Sequence, residues 1–347
     1  MVMNVGVKDV AQLAGVSVGT VSNVLNHPDR VTPATRERVQ TAIEKLGFVR
    51  NAAASQLRAG LSRSVGLIVL NASNPFFTEL ARGAEDHAAS KNISVLVGNS
   101  GEDAQREADY LDLFEEQRVR GVLISPVGDV SARLSRLRSR GIPTVLVDRQ
   151  TYREDFSSVS VDDVEGGRLA AAHLVSLGRR RIMFAGGPLS LRQVRDRLDG
   201  ARAALRDAGR PVPDVLETGA MTTAAGREAA DAILRLPAEE RPDAIFAAND
   251  LLALGMMQGL LFRGSSRVPG DIALIGYDDI DFAASAAVPL SSVRQNAAAL
   301  GRAAMELLLT EASAGPGFEP QQLITEPELV VRASTAGRDP RDERPAV

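Results

Sequence analysis

The 347-residue chain has no cysteine and no tryptophan, and aromatic residues make up only 4% of it. Without cysteine it can build neither a disulfide framework nor a thiolate metal site, which suits a reducing cytoplasm. Its three histidines, His27, His87 and His173, stand without an accompanying acid motif, and the two in helical stretches read as structural. There is no HExxH motif and no phosphate-binding loop. No apolar run approaches the ~18 residues that span a bilayer, and no basic stretch followed by an apolar run marks an export signal. The expectation is a cytoplasmic protein with no cofactor, no metal and no membrane partner. At 44% hydrophobic and 24% charged residues, the balance is that of an ordinary globular protein long enough for two or three domains.

Residues 7–26, VKDVAQLAGVSVGTVSNVLN, hold two short helical patterns that meet at Gly15. Val10, Leu13 and Ala14 share one face of the first at i, i+3, i+4 spacing. Gly15 supplies the positive φ of a tight inter-helix turn, and Val16 can point into a small core. Ser17 is an N-cap for the second helix, whose buried stripe is Val21, Val24 and Leu25. That leaves Val18, Gly19, Asn23 and Asn26 on the outer face or the first turn. The pattern is a helix-turn-helix, and it implies DNA as a partner.

Thr32-Pro33 opens a third helix, continued by Val39, Ile43 and Leu46 and ended by Gly47. Three helices in about fifty residues are too few for much stability alone, so the headpiece works as part of something larger. Residues 1–63 carry eight basic and four acidic side chains, a net +4, so the remainder carries −8 to give the overall −4. A basic head on an acidic body is the asymmetry of a phosphate-binding module joined to a domain that does not bind DNA.

From Ser64 onward, short Val/Ile/Leu runs alternate with helical stretches. Strands are expected at 65–70, 94–98, 121–125, 144–148, 181–185, 244–248 and 271–276. Helices are expected at 76–90, 104–117, 130–140, 163–177, 191–208, 223–236 and 250–263. The fold class is therefore α/β, with two doubly wound parallel-sheet lobes preceded by the all-α headpiece. The expected organisation is a headpiece over 1–50, a hinge over 51–63, a two-lobed core over 64–336 and a polar tail over 337–347. Within the core, the first lobe takes 64–160 and 290–322, and the second takes 161–289 and 323–336. Ligands of such sheets sit beyond the carboxyl ends of the strands, so the residues to inspect are 71–77, 148–149, 186–197, 249–250 and 277–279. Their carboxylates, amides, arginines and phenylalanines suit a hydroxyl-bearing ring.

The segments VKDVAQLAGVSVGTVSNVLN, RVTPATRERVQTAIEKLGFVRN and AAASQLRAG resemble the lactose/galactose/purine repressor (LacI/GalR-type) family. SVGLIVLNASNPFF, VLVDR, GGPLSLRQVRDRLDG, FAANDLLALG and IALIGYDDIDFA extend the resemblance over nearly the whole chain. It implies a homodimer that binds pseudo-palindromic operator DNA through its headpieces, with a small effector between the core lobes. Val18, Gly19 and Asn23 match base-reading positions. Ser17, Thr20, Ser22, Asn26, Arg30 and Thr35 match phosphate-contacting and supporting ones. Chemically, Asn23 can pair with adenine and Val18 can meet a thymine methyl, whereas Gly19 only permits close approach. Phe76, Phe77, Asp148, Arg197, Asn249 and Asp278 are implied to line the effector cleft, with Arg149, Arg192 and Met221 as further candidates. A sugar is the effector expected first, with a nucleoside or phosphosugar as alternatives. Two departures stand out: Gly6 replaces the Thr or Ser that usually caps the first helix, and Asn23 stands where arginine is common.

Residues 51–60, NAAASQLRAG, are too few for a stable isolated helix and should order on DNA, with Ala54 at a close approach of two hinges and Leu57 as the wedge at a base step. Two other classes share part of this pattern. Gly15-Val16-Ser17-Val18-Gly19 formally matches a hydrolase nucleophile elbow but lacks the preceding strand. A periplasmic sugar-binding protein would share the lobes but not the headpiece.

Overall fold

The computed structural model describes residues 5–48, 62–150, 155–263, 266–315 and 317–336. The chain divides into two compact units, Met1–Leu61 and Ser62–Val347. Most of the expected hinge, including Ala54 and Leu57, and the tail at 337–347 lie outside the described residues.

In the first unit, α1 (Val7–Ala14) and α2 (Val18–Asn26) are joined at Gly15, whose φ of 62° is the left-handed turn expected of it. Ser17 caps α2 by accepting from the Thr20 amide at 3.0 Å. Gly6, with no side chain to cap α1, instead donates its amide to the Asp9 carboxylate at 2.7 Å. After a 3₁₀ turn at Pro28–Arg30, α3 (Pro33–Leu46) ends at Gly47 with φ 60°. Thr32 precedes α3, but its hydroxyl bonds to that of Thr35 at 3.0 Å rather than to the helix. Val10, Ala11, Ala14, Val21, Val24, Val39 and Ala42 form the small core. Leu13 was expected inside and is instead 51% exposed. The inward face of α1 runs through Ala11, whose small side chain lets the helices approach, and this turns Leu13 outward.

The second unit has two six-stranded sheets. The first runs in the order β2 (Ser94–Asn99), β1 (Ser64–Val69), β3 (Val122–Ile124), β4 (Thr144–Val147), β5 (Ser157–Val161), β11 (Gln322–Thr325), all parallel. The second runs β7 (Asp214–Glu217), β6 (Ile182–Gly186), β8 (Ala244–Ala247), β9 (Ala273–Asp278), β10 (Ser291–Arg294), β12 (Glu328–Val330), parallel except for the last pair. The central strands β1, β3, β4, β6, β8 and β9 are largely apolar and buried, as a parallel sheet covered on both faces requires, whereas β5 and β10 bury serines. In the first lobe, α4 (Pro75–Ala89) and α12 (Ala297–Ala314) cover one face, while α5 (Ala104–Glu116) and α6 (Ser131–Ser139) cover the other. In the second lobe, α7 (Asp163–Ser176) and α8 (Arg192–Asp207) lie opposite α9 (Thr223–Arg235) and α10 (Asp250–Phe262).

The crossings between lobes fall later in the chain than expected. Ser291–Arg294 pairs with β9 in the second sheet, and Gln322–Thr325 pairs with β5 in the first. The serine-rich β10 hid the first boundary and the short, exposed β11 the second.

Three helix pairs meet through reciprocal glycines. A Cβ on Gly83 would lie 2.0 Å from the Ala298 carbonyl oxygen, and one on Gly301 would lie 1.9 Å from that of Leu80. The same holds for Gly167 against Arg197 and Gly200 against Val164, and for Gly226 and Gly255 between α9 and α10. Each clash is with backbone, which cannot swing aside. Gly301→Ala is expected to cost about 1–3 kcal/mol through forced separation of α4 and α12. Chemical denaturation checks this, and an unchanged midpoint would contradict the backbone-contact reading.

Candidate functional site

The cleft between the lobes is built from the carboxyl ends of strands in both sheets. Leu70, Asn71, Asn74, Phe76, Phe77, Glu102 and Asp148 line it from the first lobe, and Gln193, Arg197, Met221, Asn249 and Asp278 line it from the second. Phe76, Phe77, Asp148, Arg197, Asn249 and Asp278 are thus brought together as expected, and Met221 with them. Arg149 is not among the lining residues: its guanidinium donates to the Gly128 carbonyl. Arg192 pairs with Asp196 one turn along α8, at 3.3 Å.

Arg197 is the centre of the site. It is 3% exposed, donates from Nε to Asp163 at 2.7 Å and from an Nη to the Ala248 carbonyl at 2.7 Å, and stacks 3.7 Å from the Tyr277 ring centroid. Its position follows from the glycine crossing of α7 and α8, since Gly167 lets the Arg197 backbone lie directly against α7, where Asp163 begins the helix. Burial opposes the guanidinium charge, but Asp163, Tyr277, Asp278 and Asp148 more than offset it and hold the pKa above its ordinary value.

Two carboxylates face this cation from opposite lobes. Asp148 follows β4 with φ 56°, and Asp278 ends β9 with φ 105°, both in the left-handed region. Such strain concentrates where a backbone turn must aim a side chain. The β9 turn is held by Asp250, which accepts from the Ile280 amide at 2.9 Å and the Ser292 hydroxyl at 2.7 Å. Asp279 is gripped there by Arg294 at 2.7 Å and Arg332 at 2.6 Å.

Amides bridge the lobes through these acids. Asn74 caps α4 by accepting from Phe76 and donates across the cleft to Asp278 at 3.0 Å. Gln193 donates to Asp148 at 3.1 Å, and Gln295 donates to Asp278 at 2.8 Å. Asn249 caps α10 by accepting from Leu252 and donates to the Met221 carbonyl. Gln193 and Gln295 were not picked out from sequence. Gln193 sits one turn before Arg197 on the same face, which was a usable signal, whereas Gln295 follows a strand too serine-rich to be recognised. Asp148 Oδ1 and Gln295 Oε1 are buried without partners. Among the described residues there is no group of three or more His, Cys, Asp or Glu that could hold a metal ion.

In the first unit, Ser17, Val18, Gly19, Asn23 and Arg30 are exposed, and Thr20, Ser22 and Thr35 are half-buried. Val18, Gly19, Ser22 and Asn23 lie at i, i+1, i+4 and i+5, on the face of α2 opposite Val21 and Val24, and Asn26 is its last residue.

Burial, followed by the negative charge of Asp163, pushes Asp148 up to about 8 even though Arg197 pulls the other way. The folded protein therefore holds a proton that the unfolded chain releases near pH 4, so stability falls as pH rises from about 4 to about 8. Asp148→Asn should flatten that slope, gaining on the native protein between pH 5 and pH 8 in melting temperature. A difference independent of pH would contradict the protonated carboxyl.

Residues 6–51 match the family described as Bacterial regulatory proteins, lacI family, and residues 171–335 match the Periplasmic binding protein-like domain. The ribose operon repressor of Escherichia coli (strain K12) is 34% identical over 334 residues, covering 94% of this chain and 98% of the relative. The structure of the lac repressor dimer bound to operator and the anti-inducer ONPF has a TM-score of 0.80 at 27% identity, covering 96% of this chain and 99% of that one. A LacI family transcriptional regulator from Enterococcus faecium with bound ribose has a TM-score of 0.72 at 27% identity, covering 80% and 100%. Among the described residues no helix is long and apolar enough to cross a membrane. A helix-turn-helix unit followed by two lobes around a charged cleft, matched over nearly its full length, makes this chain a member of the lacI family of bacterial regulatory proteins.

Proposed function

We propose that the protein is a cytoplasmic, effector-controlled repressor that binds a pseudo-palindromic operator as a homodimer. Its effector is a neutral monosaccharide of the ribose class, held between the lobes. The observation that carries this reading is the pair of unpartnered buried oxygens, Asp148 Oδ1 and Gln295 Oε1, beside the Arg197 fork. Ring hydroxyls accept from the protonated Asp148 carboxyl and from arginine and donate to Gln295, and Phe76 and Phe77 supply apolar faces. The lining sets three acids, Glu102, Asp148 and Asp278, against Arg197 alone, which disfavours a strongly anionic ligand. The cavity left between the lobes is about 20 Å³, room for about one water, so a ring enters only by displacing the bridging amides and parting the lobes. The ribose-linked names of two relatives agree with that class. A second copy is supported by an apolar groove beside α10 and the short helix α11 (Asp281–Ala284), flanked by the exposed Phe262 and Phe282.

On the DNA side, Val18, Gly19 and Asn23 are placed in the major groove, with Ser17, Thr20, Ser22, Asn26, Arg30 and Thr35 supporting or meeting phosphates. Ala54 and Leu57 are assigned to the hinge, and the headpiece, hinge, core and tail are assigned over 1–50, 51–63, 64–336 and 337–347. Arg149, turned toward Gly128, is a supporting residue of the cleft rather than a contact. Occupancy of the cleft changes operator affinity through a shift between lobe arrangements.

Two substitutions test the two halves. Arg197→Lys keeps the buried charge but loses the fork, and should weaken ribose binding about 10–100-fold by calorimetry while operator binding persists. Unchanged ribose affinity would contradict the cleft assignment. Asn23→Ala should cost about 1–3 kcal/mol at particular base pairs of a selected operator, and an equal loss on every sequence would refute a reading role.

A further inference from the structure

The amino-terminal ends of the first lobe's strands form one surface, and the chain arrives there from the amino-terminal unit at Ser62. Three segments are stitched together at this end. The Ser94 amide donates to the Arg63 carbonyl at 2.8 Å, the Arg120 amide to the Ser64 carbonyl at 2.7 Å, and the Gly66 amide to the Gly121 carbonyl at 3.0 Å. Arg63, Lys91, Arg118 and Arg120 therefore surround the start of β1. Arg63, Lys91 and Arg118 are exposed and Arg120 is half-buried. Among the described residues none of the four has a side-chain hydrogen bond or ion pair, and the Arg120 Nε atom is buried without a partner.

Elsewhere on the acidic core, among the described residues, some arginines are likewise unpaired and others are matched. Arg82, Arg168, Arg202, Arg263 and Arg267 each pair with a carboxylate on the same helix or a neighbouring element. At the strand-start surface the carboxylates at the end of α5 leave the four cations alone: Glu115 is taken by Arg136 and Arg140, and Glu116 has no pair with any of them. Four unmated cations on a body of net −8 repel one another unless an anion faces them.

We propose that Arg63, Lys91, Arg118 and Arg120 form a basic collar that holds backbone phosphates of the duplex flanking the operator. The core domain then adds sequence-independent affinity to the headpiece's reading. The proposal rests on the DNA-binding reading above. The occupant is argued from the tether. The segment between the described parts of the two units, residues 49–61, spans at most about 3.3–3.6 Å per residue. Once a headpiece sits on its operator, the flanking phosphates are therefore at high effective concentration at the collar, and weak charge contacts suffice.

The test uses the full-length protein and an operator selected from a random duplex pool. Affinity is measured between about 50 and 300 mM KCl on a duplex ending at the selected site and on one extended by about 10 base pairs on each side. The native protein should bind the longer duplex several-fold more tightly at low salt and with a steeper salt slope. Lys91→Ala combined with Arg118→Asn, the latter suited to the φ of 48° at that position, should lose the flank gain and flatten the slope by about 0.9 for each phosphate contact removed. Affinity for the short duplex and for ribose should stay within about twofold, which excludes misfolding as the cause. The same flank gain and slope in the double variant would overturn the collar, and would leave an acidic protein as the surface's partner. Arg118→Asn alone, read the same way, keeps the test decisive if the double variant folds poorly. Failure of the native protein to select any duplex would instead refute the DNA-binding reading, and the collar with it.

Discussion

The core is organised around one buried guanidinium. Arg197 is removed from water, a state that is costly unless every donor and the charge itself are matched. Asp163, the Ala248 carbonyl and the Tyr277 ring do this matching, each from a different element of the second lobe. Breaking such a buried pair typically costs about 3–5 kcal/mol, so the elements that supply the partners are tied to a single arrangement. The glycine crossing of α7 and α8 makes the geometry possible, because any larger residue at Gly167 would drive the Arg197 backbone off Asp163.

That fixed cation gives the cleft its chemistry. Asp148 from one lobe and Asp278 from the other converge on it, and burial followed by the negative charge of Asp163 raises the proton affinity of both against the pull of Arg197. Amide groups from Asn74 and Gln193 occupy the acids across the gap. A polyol can exchange with these amides group for group, since it offers donors and acceptors of similar strength. On the proposed reading, the groups offered to a ligand are therefore those that bridge the lobes. Lobe closure and ligand affinity are two readings of one interaction set.

Much of this was legible in the sequence. The headpiece followed from Gly15, Ser17 and the valine stripe of α2. The lobes followed from apolar runs such as GLIV and AIFA, and the cleft acids from their place just after a strand. The failures share a physical cause. β5 reads SSVSV and β10 reads SSVR, and their serines are buried yet polar, so no apolar run announced them. Several of those serines serve contacts from distant chain, Ser157 with Glu311 and Ser292 with Asp250, which a local pattern cannot reveal. Missing β10 also displaced the lobe crossings and hid Gln295. Leu13 misled for a related reason: spacing alone does not say which side of a short helix its partners will choose. Arg149 sits after a strand like its neighbour Asp148, but successive side chains leave a turn in different directions.

In the proposed mechanism, cleft occupancy and operator binding are one linked equilibrium. Calorimetry on the full-length protein can close the cycle by titrating ribose with and without saturating operator, and operator with and without saturating ribose. Linkage requires the two affinity ratios to be the same factor, different from one. Ribose binding that leaves operator affinity untouched would contradict the claim, whatever its strength.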